Sequence, residues 1–201
     1  MSSEANKIVG LYERNAENYD KDRGRDLFAE RRWLVDFLSL LPPGGSILDI
    51  GCGSAEPIAR FFIEQGYAVT GVDSSPSLID ICTRRFPSQN WIVADMRGMC
   101  LGPEFNGIIA WDSFFHLTPE NQRSMFPLFR KHSAPNAALL FTSGPVGGEA
   151  IGEYRGEPLY HGSLDGEEYT ELLAHNGFAT VSHVVEDITC GRHTIWLAQL
   201  Q

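Results

Sequence analysis

This chain has no C-x-x-C pair, no long apolar run and no excess of positive charge. Its four cysteines, Cys52, Cys82, Cys100 and Cys190, are scattered. That excludes a disulfide-stapled scaffold or a clustered thiolate zinc site, and it suits a reducing compartment. His132, His175 and His183 show no ligand spacing with one another, so no metal is expected. No apolar run approaches the ~20 residues needed to span a bilayer. The polar start from Met1 to Gly10 lacks the apolar core of a secretory signal. The expectation is a cytoplasmic protein with no membrane partner. Lys and Arg number 16 against 26 Asp and Glu, a formal charge of -10 with pI near 5.0. This balance argues against nucleic acid as a partner. Arg31-Arg32 and Arg84-Arg85, the basic doublets, read as solvated helix faces.

What the chain has is an alternation of strand and helix. At 201 residues and 43% hydrophobic, it is long enough to bury roughly 70% of its unfolded surface. No repeat, linker or low-complexity stretch divides it, so one domain over 1–201 is expected. Spacing predicts helices over 7–19 and 27–41, the second ended by Pro42-Pro43-Gly44-Gly45. Strands are predicted over 46–50, 67–72, 90–94, 107–111 and 137–143. Helices are predicted over 54–65 with Ser54 as N-cap, 76–85 and 119–132. A helix over 165–175 then leads to strands over 178–186 and 194–199. Cys190-Gly191-Arg192 turns between those strands, so they form an antiparallel hairpin.

The densest signal is Ile47-Leu48-Asp49-Ile50-Gly51-Cys52-Gly53-Ser54-Ala55, with Asp73 following at the end of the next strand. A buried strand entering a glycine turn, a helix, and then an acidic strand end make a nucleoside crevice in an open α/β sheet. The first two glycines fit G-x-G-x-x-G, but Glu56 holds the third position. A carboxylate at a helix N-terminus repels a pyrophosphate, which favours a cofactor without phosphates, such as a sulfonium-bearing adenosine.

Leu48-Asp49-Ile50-Gly51-Cys52-Gly53, then Gly71-Val72-Asp73, then Ala94-Asp95-Met96-Arg97 resemble, in that order, the class I S-adenosylmethionine-dependent methyltransferases of the small type 11/12 kind. The resemblance covers nearly the whole chain and most strongly 46–143. It implies a Rossmann-like, doubly wound, three-layer αβα fold. The sheet would be seven-stranded and mostly parallel, with a reversed last strand. Residues 1–41 would form an N-terminal helical cap, 46–143 the cofactor-binding core, 144–163 a substrate loop, and 164–201 the last helix and hairpin. S-adenosyl-L-methionine is the implied cofactor and S-adenosyl-L-homocysteine its product.

Site roles follow from the same resemblance. Gly51, Cys52 and Gly53 would lie under the homocysteine portion, since glycines let backbone approach closely. Asp73, with Ser74 beside it, would accept both ribose hydroxyls, or Asp73 would cap the Pro76 helix. Asp95 would accept from the adenine amine, with the Met96 backbone N–H facing the ring. Trp111 ends the fourth strand and is either core or near the adenosine. Asp49 sits inside an apolar strand, where a charge is costly unless hydrogen-bonded, and would orient the glycine loop or meet the methionine amine. Tyr19 and Arg23 match a tyrosine and a basic residue that fold over the cofactor's carboxylate, with Arg23 offering a forked donor. The alternative for that segment is a helix packing Tyr12 and Tyr19 on the sheet.

Methyl transfer is an in-line displacement, and holding two reactants in line supplies ~7–11 kcal/mol of the barrier. Catalysis mainly by proximity therefore requires no catalytic side chain. His116, after the fourth strand, is either a general base or a loop-fixing side chain. Phe114 and Phe115 beside it would wall an apolar acceptor pocket. The glycine-rich stretch 144–163 reads as a lid, and Tyr160 and His161 are its candidates for acceptor contact. His193 and Trp196 read as structural. The expected acceptor is a small molecule. Two other readings remain: an NAD(P)-dependent oxidoreductase, opposed by Glu56 and the terminal hairpin, and a non-catalytic S-adenosylmethionine-binding module that needs a partner.

Overall fold

The computed structural model describes residues 4–102 and 104–201. Seven strands form one sheet in the order β3-β2-β1-β4-β5-β9-β8. β1 (Ser46–Ile50), β2 (Ala68–Asp73), β3 (Asn90–Val93), β4 (Phe105–Ala110) and β5 (Ser133–Ser143) pair in parallel. β9 (His193–Leu200) runs antiparallel between β5 and β8 (Phe178–Asp187). The predicted seven-stranded α/β sheet with its terminal hairpin is thus the observed one. Its central strands are apolar because both faces are covered.

Two apolar layers cover those faces. On one side α3 (Arg31–Ser39) contributes Trp33, Leu34 and Phe37, α4 (Ile58–Glu64) contributes Phe61 and Phe62, and α5 (Pro76–Arg85) contributes Ile79 and Cys82. On the other, Met125, Phe126 and Phe129 of α6 (Pro119–Lys131) meet Tyr169 and Leu173 of α7 (Gly166–His175) around Phe141 and Trp196. Among the described residues no helix is long and apolar enough to cross a membrane.

Several expected elements differ. The helix over 7–19 is two: α1 (Ile8–Arg14) and α2 (Ala16–Asp22). They part at Asn15, whose Nδ2 donates to the Leu11 carbonyl at 3.0 Å, a local bond that competes with the helical ladder. The helix expected over 27–41 occupies only α3. The helix expected over 54–65 starts at Ile58, because the residue before Pro57 is kept out of helical space and Ala55 has φ +66°. Ser54 is therefore buried in the glycine turn and caps nothing.

The expected lid loop over 144–163 is an antiparallel hairpin of β6 (Gly148–Tyr154) and β7 (Glu157–Ser163). Arg155 (φ +51°) and Gly156 (φ +80°) make its two-residue turn, the positive pair that suits the twist of a tight hairpin. Glycines at 148, 152 and 162 blunt the alternation that marks a strand.

Candidate active site

The C-terminal ends of β1, β2, β3 and β4 open into a cleft lined from above by Ile8, Val9 and Tyr12 of α1 and Tyr19 of α2. Ligand sites of open α/β sheets lie at such ends. The floor is the glycine turn. A Cβ on Gly51 (φ +72°) would stand 2.3 Å from the Ser113 Cβ, and one on Gly53 (φ +54°) would stand 2.9 Å from the Tyr19 ring. Both positions need glycine for conformation and for space.

Asp73 ties the floor together. Its Oδ2 accepts from the Gly53 N–H at 3.0 Å and its Oδ1 from the Ser75 N–H at 2.9 Å, while the carboxylate lines the cleft. Burial pushes it up to about 6. The cap of α5 falls to Ser75, whose Oγ accepts from the Leu78 N–H at 3.2 Å. Ser74, Asp95, Met96, Gly51, Gly53 and Tyr19 also line the cleft. Arg97 grips Asp95 through its backbone N–H (2.9 Å) and through Nε and Nη2 (2.9 and 2.5 Å). These bonds hold the Asp95 carboxyl below its usual range.

Four expected cofactor residues stand outside the cleft lining. The Cys52 thiol turns toward the Gly53 carbonyl, where the Cys82 thiol also donates at 3.2 Å. Asp49 is buried, and burial together with Asp73 pushes it up to about 7. Arg23 lies 3.8 Å from both Asp112 and Glu30. Trp111 is core, its ring 5.6 Å from that of His193. Glu56 also turns away and pairs with Arg60 at 2.9 Å and Arg85 at 3.7 Å. The phosphate repulsion assigned to Glu56 therefore has no place in this cleft.

The acceptor candidates divide in the same way. His116 lines the cleft, its Nε2 2.9 Å from the Tyr12 hydroxyl and its Nδ1 2.8 Å from the Tyr160 carbonyl oxygen. A carbonyl only accepts, so Nδ1 carries the proton, and in the neutral ring Nε2 accepts from Tyr12. Burial pushes His116 down to about 4, which keeps it neutral. Tyr160 and His161 do not line the cleft. Tyr160 is buried with its hydroxyl on Glu149 at 2.8 Å, and the His161 ring lies 5.2 Å from that of His116. Their place on a strand of the hairpin, rather than on a loop, turns them away. Phe114 packs among Phe126, Phe129 and Phe141, in the core rather than in an acceptor wall.

Sequence reasoning missed three contributors. Tyr12 was read only for packing, although it joins His116 across the cleft. Asp112 (φ +50°) lines the cleft with His193 Nε2 at 2.9 Å. The Asp112 carboxylate pushes His193 up to about 11, so that histidine supports a cleft residue as well as the hairpin. Glu13 accepts from the Ser75 and Ser77 hydroxyls at 2.5 and 2.7 Å and from the Ser77 N–H at 3.1 Å, fastening α1 to the start of α5. The polar run Glu13-Arg14-Asn15 on a predicted helix gives no signal of these partners, which lie more than 60 residues away in sequence. Among the described residues no group of three His, Cys, Asp or Glu is placed to hold an ion.

Residues 47–136 match the family model described as a methyltransferase domain. The chain is 29% identical over 187 residues to a dTDP-4-amino-2,3,4,6-tetradeoxy-D-glucose N,N-dimethyltransferase of Saccharopolyspora spinosa, covering 89% of this chain and 68% of that protein. It is 32% identical to a magnesium-protoporphyrin O-methyltransferase of Rhodobacter capsulatus, over 54% of this chain and 50% of that one. In fold it is similar to the magnesium protoporphyrin IX methyltransferase of Synechocystis PCC 6803 solved with bound S-adenosylmethionine, with TM-score 0.72, 15% identity and coverage of 100% and 99%. Residues 47–136, which carry the three motifs and the strands β2 to β4, are thus similar to a methyltransferase domain, and the sequence relatives named are methyltransferases.

Proposed function

We propose that this protein transfers a methyl group from S-adenosylmethionine to a small-molecule acceptor, with Tyr12 and His116 receiving the acceptor's proton. The observation that carries this reading is the one-way hydrogen-bond chain from Tyr12 through His116 to the Tyr160 carbonyl, opening over a glycine floor. The floor suits close approach by a ligand, since Gly51 and Gly53 hold positive φ and leave no room for a side chain beside Ser113 and Tyr19. Asp73 and Ser74 would hold the ribose, Asp95 and Met96 the adenine, and Tyr19 the methionine end. Arg23, Asp49 and Asp112 would set the charge around that end. Bound there, the cofactor supplies a methyl group activated by a sulfonium.

The protein's own work is positioning and proton handling. Tyr12, with its pKa raised by burial, keeps its proton and donates it to His116, so its oxygen faces the cleft as an acceptor. An acceptor N–H or O–H aligned on that oxygen passes its proton to Tyr12 as Tyr12 passes its own to His116 Nε2. His116, held down to about 4 by burial, is a weak base, so most of the gain comes from alignment. The relatives include both N- and O-methyltransferases, and either atom can donate to Tyr12. The -10 charge supports a small molecule over nucleic acid. The free, mostly buried cysteines support a cytoplasmic setting.

The test is transfer of a trideuterated methyl from labelled cofactor to a panel of amines and alcohols, read by mass spectrometry. The wild type should label an acceptor. Tyr12→Phe, which keeps the ring, should lower kcat by about tenfold with little change in cofactor affinity. Full activity in that variant removes the relay.

A further inference from the structure

His193 opens β9, far along the chain from the end of β4, yet its ring meets a residue of the cleft. Its Nδ1 lies 2.6 Å from the Cys190 carbonyl oxygen and its Nε2 2.9 Å from the Asp112 Oδ1. A carbonyl only accepts, so Nδ1 carries a proton. A bare Nε2 would set its lone pair against those of a carboxylate, so Nε2 carries a proton as well. The ring is therefore an imidazolium. The Trp111 ring lies 5.6 Å from it, tilted by 32°, an aromatic neighbour that suits a cation. His116 contrasts with it, because one carbonyl and one hydroxyl partner suit a neutral ring.

Asp112 carries that charge inward. Its φ of +50° is uncommon for a residue with a side chain, and its N–H is held by the Thr142 Oγ1 at 2.9 Å. Such backbone persists where its surroundings over-determine it. The carboxylate lines the same cleft as Tyr12, Tyr19 and His116, and its charge bears on those three and on His161. Toward His116, an uncompensated carboxylate favours the protonated ring, which has no lone pair left to accept from Tyr12. The His161 ring, 5.2 Å from that of His116, opposes a proton there. Two cations offset the carboxylate itself. Arg23 stands 3.8 Å from Oδ2 and is shared with Glu30 at the same distance, whereas His193 stands closer, on Oδ1.

We infer that His193 is a positioning residue for the methyl transfer, a fixed positive charge that balances the Asp112 carboxylate and so keeps His116 free to accept from Tyr12. This rests on the methyltransferase reading and deepens it, adding a residue that sets the acid limit of the reaction.

The test is imidazole NMR on the full chain, resolved at the ring nitrogens. In the wild type both His193 nitrogens should carry protons about two pH units above the ~6.5 of an ordinary histidine. A neutral ring there overturns the inference without any variant. His193→Gln keeps a donor and removes the charge, and it should raise the His116 midpoint by about one unit, the scale of one charge across a site of low effective dielectric. Asp112→Asn should lower that midpoint, and the double variant should return it close to the wild-type value. A merely structural loosening would move both single variants the same way, and that result, or an unmoved His116, overturns the inference. With an acceptor from the labelled-methyl panel, the acid limb of kcat should rise with the His116 midpoint in His193→Gln. A limb that stays in place while the midpoint moves overturns it too. Failure of the wild type to bind S-adenosylhomocysteine overturns the methyltransferase reading instead, which the ring titrations do not touch.

Discussion

Each oxygen of the Asp73 carboxylate accepts one backbone N–H, from Gly53 and from Ser75. The Ser74 N–H is bonded to the carboxylate as well, and the lone pairs that remain would accept from the hydroxyls of a ribose. Hydrogen bonds to a charged group contribute ~1.5–3 kcal/mol each. Asp73→Ala should therefore raise the Kd for S-adenosylhomocysteine by about 100-fold in an equilibrium titration. An unchanged Kd would assign Asp73 to loop structure alone. The histidines give a second residue-scale prediction. In a pH titration followed by imidazole NMR, His116 should stay neutral down to about 4, and His193 should stay charged up to about 11. The signs are opposite. An unfolded His116 takes a proton below about 6.5 while the folded one refuses it. Its contribution to stability is thus full above 6.5 and lost as pH falls toward 4. That of His193 is full below 6.5 and lost as pH rises toward 11.

At the scale of elements, the cleft's floor is rigid and its roof is fastened by side chains. Gly51→Ala would combine φ +72° with a 2.3 Å approach to the Ser113 Cβ. It should cost at least about 2–3 kcal/mol, read as a lowered Tm. The roof is α1, held by Glu13 to Ser75 and Ser77 and by Arg14 to Glu157 of β7. Asp20 of α2 adds a two-pronged pair with Arg85 of α5 at 2.9 and 2.8 Å. Glu13→Ala should speed amide exchange along α1 and weaken S-adenosylhomocysteine binding by about tenfold, while amides of β1 and β4 keep their protection. The α5 helix and its neighbouring strands were legible in the sequence because their signals are local: Ser75-Pro76 opens the helix, and the strands are short apolar runs between turns. The β6–β7 hairpin was not, because its glycines and exposed face hide the period of two. Tyr12 and His116 meet across 104 positions of chain, and no local pattern announces such a pair.

For the whole molecule, the order of strands decides where the cleft lies, and the three motifs at strand ends carry that order in the sequence. The antiparallel pairing of β8 with β9 was readable from the turn at Cys190-Gly191-Arg192, while the insertion of β9 beside β5 was not. What a linear reading could not supply was direction. Glu56, Cys52 and Trp111 are near the motifs in sequence, yet pairing with arginines or core packing turns them away from the cleft. Asp112 carried no motif and still faces inward. The -10 charge of the chain recurs in the cleft as three carboxylates to one arginine, which suits a cationic cofactor and disfavours a dinucleotide. The central claim is therefore tested most directly by calorimetric titration of the protein with S-adenosylhomocysteine and, separately, with reduced nicotinamide dinucleotide. The account predicts micromolar binding of the first and none of the second. Binding of the dinucleotide alone would contradict it and return the cleft to a redox reading.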